Sequence, residues 1–521
     1  GKKMPKRKPL KYFTQKEIEE ILFRESSDED VDHVEAEEMY DSDSDVDYIP
    51  KPGDDDSDRE FSASDIGSYQ DSCTMPAFTP GPTPEASNAD TPEKCFTLFF
   101  EEQIIDEIVT WTNIRIDAEV VKYRKITGTF QRTTPAEVRA MLGICIFSGC
   151  QMDNHLSSKE MWNPATAAPV YRAAMSEGRF SFLLSCLRFD DPDTRQERQA
   201  MDKFAPIRNI WQIFIDNCKN LYVPSQNITV DEQLLGFRGR CPFRMCIPNK
   251  PAKYGIKLVL ANDSQSKYLL TGIPYLGKLV TQRQDGQSLG QHFTKELTKQ
   301  YHHTNRNVTT DNWFTSVPLA IDLLQNCGMT LVGTIKANKR QIPQVMKVKE
   351  NHVPGSSAFL FTKELTLVSF LPDKASKKKV VLLLSSMHTQ PSIRPTRKPE
   401  VIEFYNKTKG GVDTFDQMCA HYGYGRKTKR WPLCVFYGMI NAGVINSWII
   451  HNENAMKTGE NQIVLICSVL DIPTPGTLEG KAGPVAAESS GPLVRCADCP
   501  TGLDRKTRYR CHVWLSTGVN R

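Results

Sequence analysis

The sequence predicts a mixed α/β chain of several domains, and three observations carry that prediction. At 521 residues the chain is longer than one ordinary domain. Apolar residues recur at helical spacing from about residue 93 to 225, then give way to short β-branched runs interleaved with helices. A long apolar helical run, Trp431 to His451, closes the readable part.

The elements follow in order. Residues 1–92 are dominated by Asp, Glu, Ser and Pro and lack the apolar surface to offset chain entropy, so they are expected to be a disordered acidic tail. Within them, Phe13 to Phe23 has the spacing of a short transient helix, and serines flanked by acids have the look of acidophilic kinase sites. Cys95 to Trp111 reads as one helix on the recurrence of Phe96, Phe99, Phe100, Ile104, Ile105, Ile108 and Trp111. Thr134 to Phe147 opens Thr-Pro-Ala-Glu, a cap followed by a proline. Arg179 to Leu187 and Ile207 to Tyr222 complete the helical segment.

Strands are then expected at Ile228–Val230, Lys257–Ala261, Tyr268–Pro274, Val308–Thr310 and Thr330–Ile335, with helices at Gly290 to Tyr301 and Val317 to Cys327. Three more strand-like runs follow, Phe359–Phe361, Leu365–Phe370 and Val380–Leu384, with a basic turn at Lys374 to Lys379. Glu400 to Tyr405 reads as one further strand.

Three aspartates stand at the ends of such runs: Asp231 in Asn-Ile-Thr-Val-Asp-Glu-Gln, Asp311 in Asn-Val-Thr-Thr-Asp-Asn-Trp-Phe, and Asp413 in Gly-Gly-Val-Asp-Thr-Phe-Asp-Gln-Met. A buried carboxylate is costly unless something positive holds it. Hard oxygen ligands converging from separate elements suit Mg²⁺, or Mn²⁺ in its place. A pair of such ions activates an attacking oxygen and stabilises a leaving one in phosphodiester chemistry. Asp413, Asp416 and Gln417 fall on one face of the helix that carries them.

Charge is segregated along the chain. Residues 1–92 hold 10 Lys/Arg against 24 Asp/Glu, and the remainder holds 55 against 38. A basic body with an acidic arm suits a nucleic-acid binder. The basic start is not followed by an apolar stretch, so no secretory signal is expected. No uninterrupted apolar run approaches the roughly 18 residues of a membrane span, so no membrane partner is expected. The 15 scattered cysteines read as reduced intracellular thiols.

The chain resembles the piggyBac family of cut-and-paste DNA transposases over roughly residues 93 to 455. The resemblance is carried by Cys-Phe-Thr-Leu-Phe-Phe (95–100), Trp-Thr-Asn (111–113), Asp-Glu-Gln-Leu-Leu-Gly-Phe-Arg-Gly-Arg-Cys-Pro-Phe-Arg-Met (231–245) and Ile-Pro-Asn-Lys-Pro-Ala-Lys-Tyr-Gly-Ile-Lys (247–257). It continues through Asp-Asn-Trp-Phe-Thr-Ser (311–316), Tyr-Asn-Lys-Thr-Lys-Gly-Gly-Val-Asp-Thr-Phe-Asp-Gln-Met (405–418) and Arg-Lys-Thr-Lys-Arg-Trp-Pro (426–432).

The resemblance implies a ribonuclease-H-like catalytic core with a β-rich insertion, flanked by helical segments for DNA binding and dimerisation. On that basis the chain divides into an acidic tail (1–92), a helical domain (93–225), the first part of the core (226–336), the insertion (337–399), the last part of the core (400–420), a helical segment (421–457) and a loop-rich tail (458–521). It also implies Mg²⁺-dependent strand hydrolysis, hairpin formation and strand transfer at TTAA targets, on double-stranded DNA, by a homodimer in the nucleus. The family's catalytic, metal-holding triad maps to Asp231, Asp311 and Asp413, and a fourth acidic position to Asp416.

Basic residues near the carboxylates are candidates for gripping DNA: Lys253, Lys257, Lys336, Lys339, Arg340, Lys407 and Lys409. Arg426, Lys427, Lys429 and Arg430 lead into Trp431, which either stacks on an unpaired base or anchors its helix in the core. The family often ends in a zinc module of cross-braced cysteine pairs. Here Cys496, Cys499 and Cys511 supply three ligands, His512 is adjacent to the last, and Trp514 stands where a further Cys is expected. A structural zinc site needs four ligands, so a complete Zn²⁺ module is not expected. Two other classes remain: a transposase-derived host DNA-binding or chromatin protein that no longer transposes, and a generic nuclease.

Overall fold

The structure is a computed structural model and describes residues 79–123, 127–248, 250–277, 287–347, 353–372 and 380–458. The Phe13–Phe23 helix, the acidic serines, the Lys374–Lys379 turn and the cysteines at 496, 499 and 511 lie outside these residues. The fold is mixed α/β. Its principal helices are α1 (Pro92–Thr97), α2 (Glu102–Val120), α3 (Pro135–Cys150), α4 (Glu177–Cys186), α5 (Ala205–Asn220), α6 (Leu289–Thr298), α7 (Val317–Cys327), α8 (Glu400–Thr408), α9 (Gly411–His421) and α10 (Trp431–Thr458). Its strands are β1 (Gly81–Pro82), β2 (Tyr222–Val223), β3 (Asn227–Gly236), β4 (Met245–Cys246), β5 (Tyr254–Asp263), β6 (Leu269–Pro274), β7 (Asn307–Thr310), β8 (Thr330–Thr334), β9 (Ser357–Phe361), β10 (Thr366–Phe370) and β11 (Val381–Ser385).

Nine strands form one sheet in the order β4-β5-β3-β7-β8-β11-β10-β9, with β6 also paired to β5. The β3–β7 and β7–β8 pairs are parallel, and every other pair in this sheet is antiparallel. The three strands of segment 337–399 therefore extend the sheet that begins with β3, joined to it through β11 on β8.

Local chemistry explains the helix starts. Thr134 caps α3 by accepting a hydrogen bond from the Glu137 amide, and Pro135 takes the first turn, where its missing N–H costs nothing. Ser316 caps α7 in the same way, and Gly328 ends that helix at φ +57°, a left-handed conformation glycine adopts without strain. The α5 helix buries Ile207, Ile210, Trp211, Phe214, Ile215 and Cys218 along one stripe, which lies on β6 and α10.

Three expectations are corrected. Residues 95–111 are two helices, because Leu98 to Glu101 interrupt them and the extended backbone of Glu101 starts the second; the helical spacing of apolar residues simply carries across the break. Order begins before residue 92: β1 pairs with β2, Ala86 is fully buried, and the Asn454 amide donates to the carbonyls of Ala86 and Ala89. Backbone docking onto α10 orders this stretch, which no apolar periodicity could announce. Glu400 to Tyr405 is helical, burying Val401, Ile402 and Tyr405 on one face.

The segment Trp431–Lys457 is, by length and mean hydropathy (1.6), apolar enough to cross a membrane, yet 72% of its most apolar window is buried inside the protein. It is the central core helix. Asn446 fixes it: fully buried, its Oδ1 accepts from the Leu269 amide at 2.8 Å and its Nδ2 donates to the Leu269 carbonyl at 3.0 Å. That contact meets β6 beside the register shift at Ala261/Asn262. Replacing Asn446 with Leu removes both bonds inside the core, and urea unfolding should show a loss of about 2 kcal/mol. A loss below about 0.5 kcal/mol, the size of an ordinary surface change, would contradict this role.

Candidate active site

Two of the three aspartates are brought together by strand register. In the parallel β3–β7 pair the last partners are Val230 and Thr310, so Asp231 and Asp311 are the next residues on neighbouring strands. Adjacent strands lie about 4.8 Å apart, and in-register parallel residues project from the same face. Asp231 stands inside β3 rather than at its end, because the strand runs on against β5 to Gly236. Asp311 does end β7. Its Oδ1 accepts from the Trp313 amide at 2.9 Å, a short side-chain turn that halts the strand. Thr315 donates its hydroxyl to the Asp311 carbonyl at 2.7 Å. Gly333 on β8 makes room for this turn, since a Cβ there would lie 2.2 Å from Thr315 Oγ1.

The third aspartate arrives on a helix laid over the same face. Thr229 and Thr309, two residues before Asp231 and Asp311, reach upward to the α8–α9 corner. Thr229 Oγ1 donates to the Thr408 carbonyl at 2.7 Å, and Thr309 Oγ1 to Thr408 Oγ1 at 2.8 Å. Gly411 permits the contact, because a Cβ would stand 2.3 Å from Thr229 Oγ1. This places Asp413 in the first turn of α9. Asp231, Asp311, Asn312, Tyr405, Lys409 and Asp413 line one cavity of about 100 Å³. Asp416 sits one turn further along and is not part of that lining; Gln233 of β3 donates to its Oδ1 at 2.9 Å.

Burial pushes the Asp231 carboxyl well above the usual carboxylate range, and the charges of Asp413 and Asp311 push it further. Burial also raises Asp416, opposed by its bond from Gln233 and by the charge of Lys250. The oxygen-only donor set fits a hard divalent cation. Among the described residues, however, no three His, Cys, Asp or Glu side chains stand together as a finished ligand set. The Asp413 side chain is 64% exposed and turned toward Lys250, with Nζ 4.0 Å from its Oδ1. The charges of Asp413 and Asp311 thus act on Asp231, while Asp413 itself is turned toward Lys250.

The basic candidates separate into three groups. Lys409 lines the cavity, and the loop carrying Lys336, Lys339 and Arg340 follows β8, whose last residue Thr334 also lines it. Lys253, Lys407, Lys427 and Lys429 are exposed. The remaining four are engaged within the protein. Lys257 is buried and paired with Glu232 at 3.0 Å. Arg426 donates to the Leu156 carbonyl at 2.7 Å. Arg430 donates to the carbonyls of Leu184, Ser185 and Leu187 at the end of α4, a helix C-terminus that attracts cations. Trp431 is buried between Phe204 (5.6 Å) and Phe243 (5.0 Å), so its core-anchoring reading holds.

Sequence reasoning passed over Lys250 and a cluster of arginines. Arg238, Arg240, Arg244 and Lys429 line an open cleft of about 910 Å³ in which no carboxylate takes part. All but Lys429 lie within the stretch 238–250, dense in Arg and Lys between two aspartate-bearing strands, and that density was the available signal.

The mixed sheet thus brings three carboxylates to one cavity, and the loop after β3 lines a separate cationic cleft. Residues 91–448 match the family described as Transposase IS4. The chain is 24% identical over 462 residues to the human PiggyBac transposable element-derived protein 3, covering 81% of this chain and 73% of that one. The human chimeric ERCC6-PGBD3 protein matches at the same identity, with 41% of its length covered. Among solved structures, a piggyBac transposase synaptic complex with hairpin DNA superposes with a TM-score of 0.70 at 40% identity, covering 84% of this chain and 96% of that one. The chain belongs to the piggyBac family of transposases.

The raised Asp231 carboxyl sets a pH dependence. The folded protein holds this proton to higher pH than the unfolded chain, so the associated stability is complete below the ordinary value of 3.8 and lost as pH rises through the raised one. Asp231→Asn should therefore raise the Tm of metal-free protein near neutral pH, with a gain that shrinks toward about pH 4. A variant no more stable than wild type at neutral pH would contradict the crowding of these carboxylates.

Proposed function

We propose that the protein is a Mg²⁺- or Mn²⁺-dependent DNA transposase that cleaves, hairpins and rejoins DNA at TTAA sites. The observation that carries this reading is the convergence of Asp231, Asp311 and Asp413 on one cavity, by strand register and by the threonine-pinned corner of α8 and α9. The order β6-β5-β3-β7-β8, with the last three strands parallel, supports a ribonuclease-H-like core. Bound divalent cations would supply an activated oxygen nucleophile and charge stabilisation for the leaving oxygen. Asp231, Asp311 and Asp413 would hold them, with Asp416 in support through its bond to Gln233.

The chain's own cations position the substrate. Arg238, Arg240, Arg244 and Lys429 offer one face to phosphates, and Lys409 at the cavity offers another, with Lys336, Lys339 and Arg340 on the loop that follows β8. Double-stranded DNA is the proposed partner, and the solved relative with hairpin DNA supports it. Homodimerisation through the helical segments 93–225 and 421–457, and action in the nucleus, belong to the same proposal.

The test is cleavage of a TTAA-flanked donor carrying the terminal sequences that bracket the gene. Wild type with Mg²⁺ should yield nicks and hairpinned ends, and Asp311→Ala should lose at least about 100-fold in rate while still binding DNA. Equal cleavage by Asp311→Ala, or DNA binding by wild type without any cleavage, would overturn the proposal. Arg240→Ala should weaken DNA binding and reduce its salt dependence by about one counterion; an unchanged salt slope would remove the cleft from the DNA path.

A further inference from the structure

Lys257, a basic residue near the carboxylates in sequence, is buried on β5. On the antiparallel β3–β5 pair Lys257 opposes Leu234, which makes Glu232 its diagonal neighbour on the same face. Its Nζ lies 3.0 Å from Glu232 Oε2 and 4.1 Å from the centre of the Trp313 ring. The Tyr275 ring stands further off, at 5.7 Å. The ammonium is therefore held between one carboxylate and one aromatic face, an arrangement that satisfies a desolvated cation.

The two residues that hold it are the ones that hold the site. The Glu232 amide donates to Asp231 Oδ1 at 2.7 Å, and the Trp313 amide donates to Asp311 Oδ1 at 2.9 Å. Glu232 follows Asp231 directly, while Trp313 belongs to the turn that Asp311 opens. The parallel ladder between these strands ends one residue earlier, at Val230 and Thr310. Beyond that point the Lys257 ammonium links the backbone segments behind the two carboxylates.

We propose that Lys257 is a positioning residue that fixes the separation of Asp231 and Asp311, acting through Glu232 and Trp313. The inference rests on the transposase reading above, since it assigns those carboxylates to one site. A brace fits the local electrostatics. Two carboxylates on adjoining strands repel, and the strand pairing that would hold them level has already stopped. A cation behind the strands draws Glu232 and the Trp313 turn toward a common point, and their amides carry the aspartates with them. Outer partners of this kind orient the groups that touch a metal. Methionine would fill the same space but would bind neither Glu232 nor the ring face by charge.

The experiment compares wild type with Lys257→Met/Glu232→Gln, which removes the ion pair without leaving a lone buried charge. Mn²⁺ binding is read by the electron paramagnetic resonance of free Mn²⁺, alongside cleavage of the TTAA donor, DNA affinity and Tm. The double variant should bind Mn²⁺ about 10- to 100-fold more weakly and cleave correspondingly slower, the range seen when outer-shell partners are removed. Its DNA affinity should equal that of wild type. Wild-type Mn²⁺ affinity and cleavage in a folded double variant would overturn the proposal. So would a loss of DNA affinity with Mn²⁺ binding intact, which would make Lys257 a phosphate contact. Should the double variant not fold, Glu232→Gln alone decides: a several-fold loss of Mn²⁺ affinity supports the brace, and an unchanged affinity overturns it. Wild type that binds Mn²⁺ but cleaves nothing would count against the transposase reading, and the Mn²⁺ comparison would still judge the brace.

Discussion

The parallel pairing of β3 with β7 is the constraint on which the rest of the site depends. It stops at Val230 and Thr310, and the next residue on each strand is an aspartate. Strand geometry thus sets two negative charges side by side on one face, an arrangement that no local preference of either segment favours. The neighbouring structure is arranged around that conflict. Gly333 leaves space for the turn that Asp311 opens, and Gly411 lets α9 descend until Asp413 reaches the same cavity.

Threonines do much of the joining. Thr229 and Thr309 occupy the face that carries the aspartates, and both bond to Thr408 at the end of α8. Neutral hydroxyls can hold a helix against a sheet here without adding charge to a crowded site. The helix α10 supplies the apolar mass: it packs on α1, α5, α9 and β3, and Asn446 fastens it to β6. Arg430 and Trp431 at its start tie it to the α4 terminus and to Phe204 and Phe243. A sequence that looks as though it grips DNA is, at these two positions, an anchor within the protein.

Much of this was legible in the sequence. The strands leading to Asp231 and Asp311 announce themselves as short β-branched runs, the helix bearing Asp413 by the spacing of Val412, Phe415, Met418 and Cys419, and the long closing helix by its length and apolar content. Glu400 to Tyr405 misleads because six residues, four of them apolar, fit either period; the buried set Val401, Ile402 and Tyr405 becomes a helical stripe only once the packing face is known. The inward turn of Lys257 was not legible. A lysine in an apolar strand pattern faces a partner or solvent, and Glu232 lies on a different strand while Trp313 lies in a distant turn. Arg426 is similar, since its acceptor at Leu156 is 270 residues away. Cationic side chains advertise their charge in a sequence; the direction they face is decided by contacts the sequence does not display.

The central claim is that the three aspartates form one cation-holding site. Crystals soaked in Mn²⁺ and measured at the manganese absorption edge test it most directly. Anomalous density is expected within about 2.3 Å of carboxylate oxygens of Asp231, Asp311 and Asp413 together, the range of metal–oxygen contacts. Density at other carboxylates, or a cavity that takes up no manganese at saturating concentration, would contradict it.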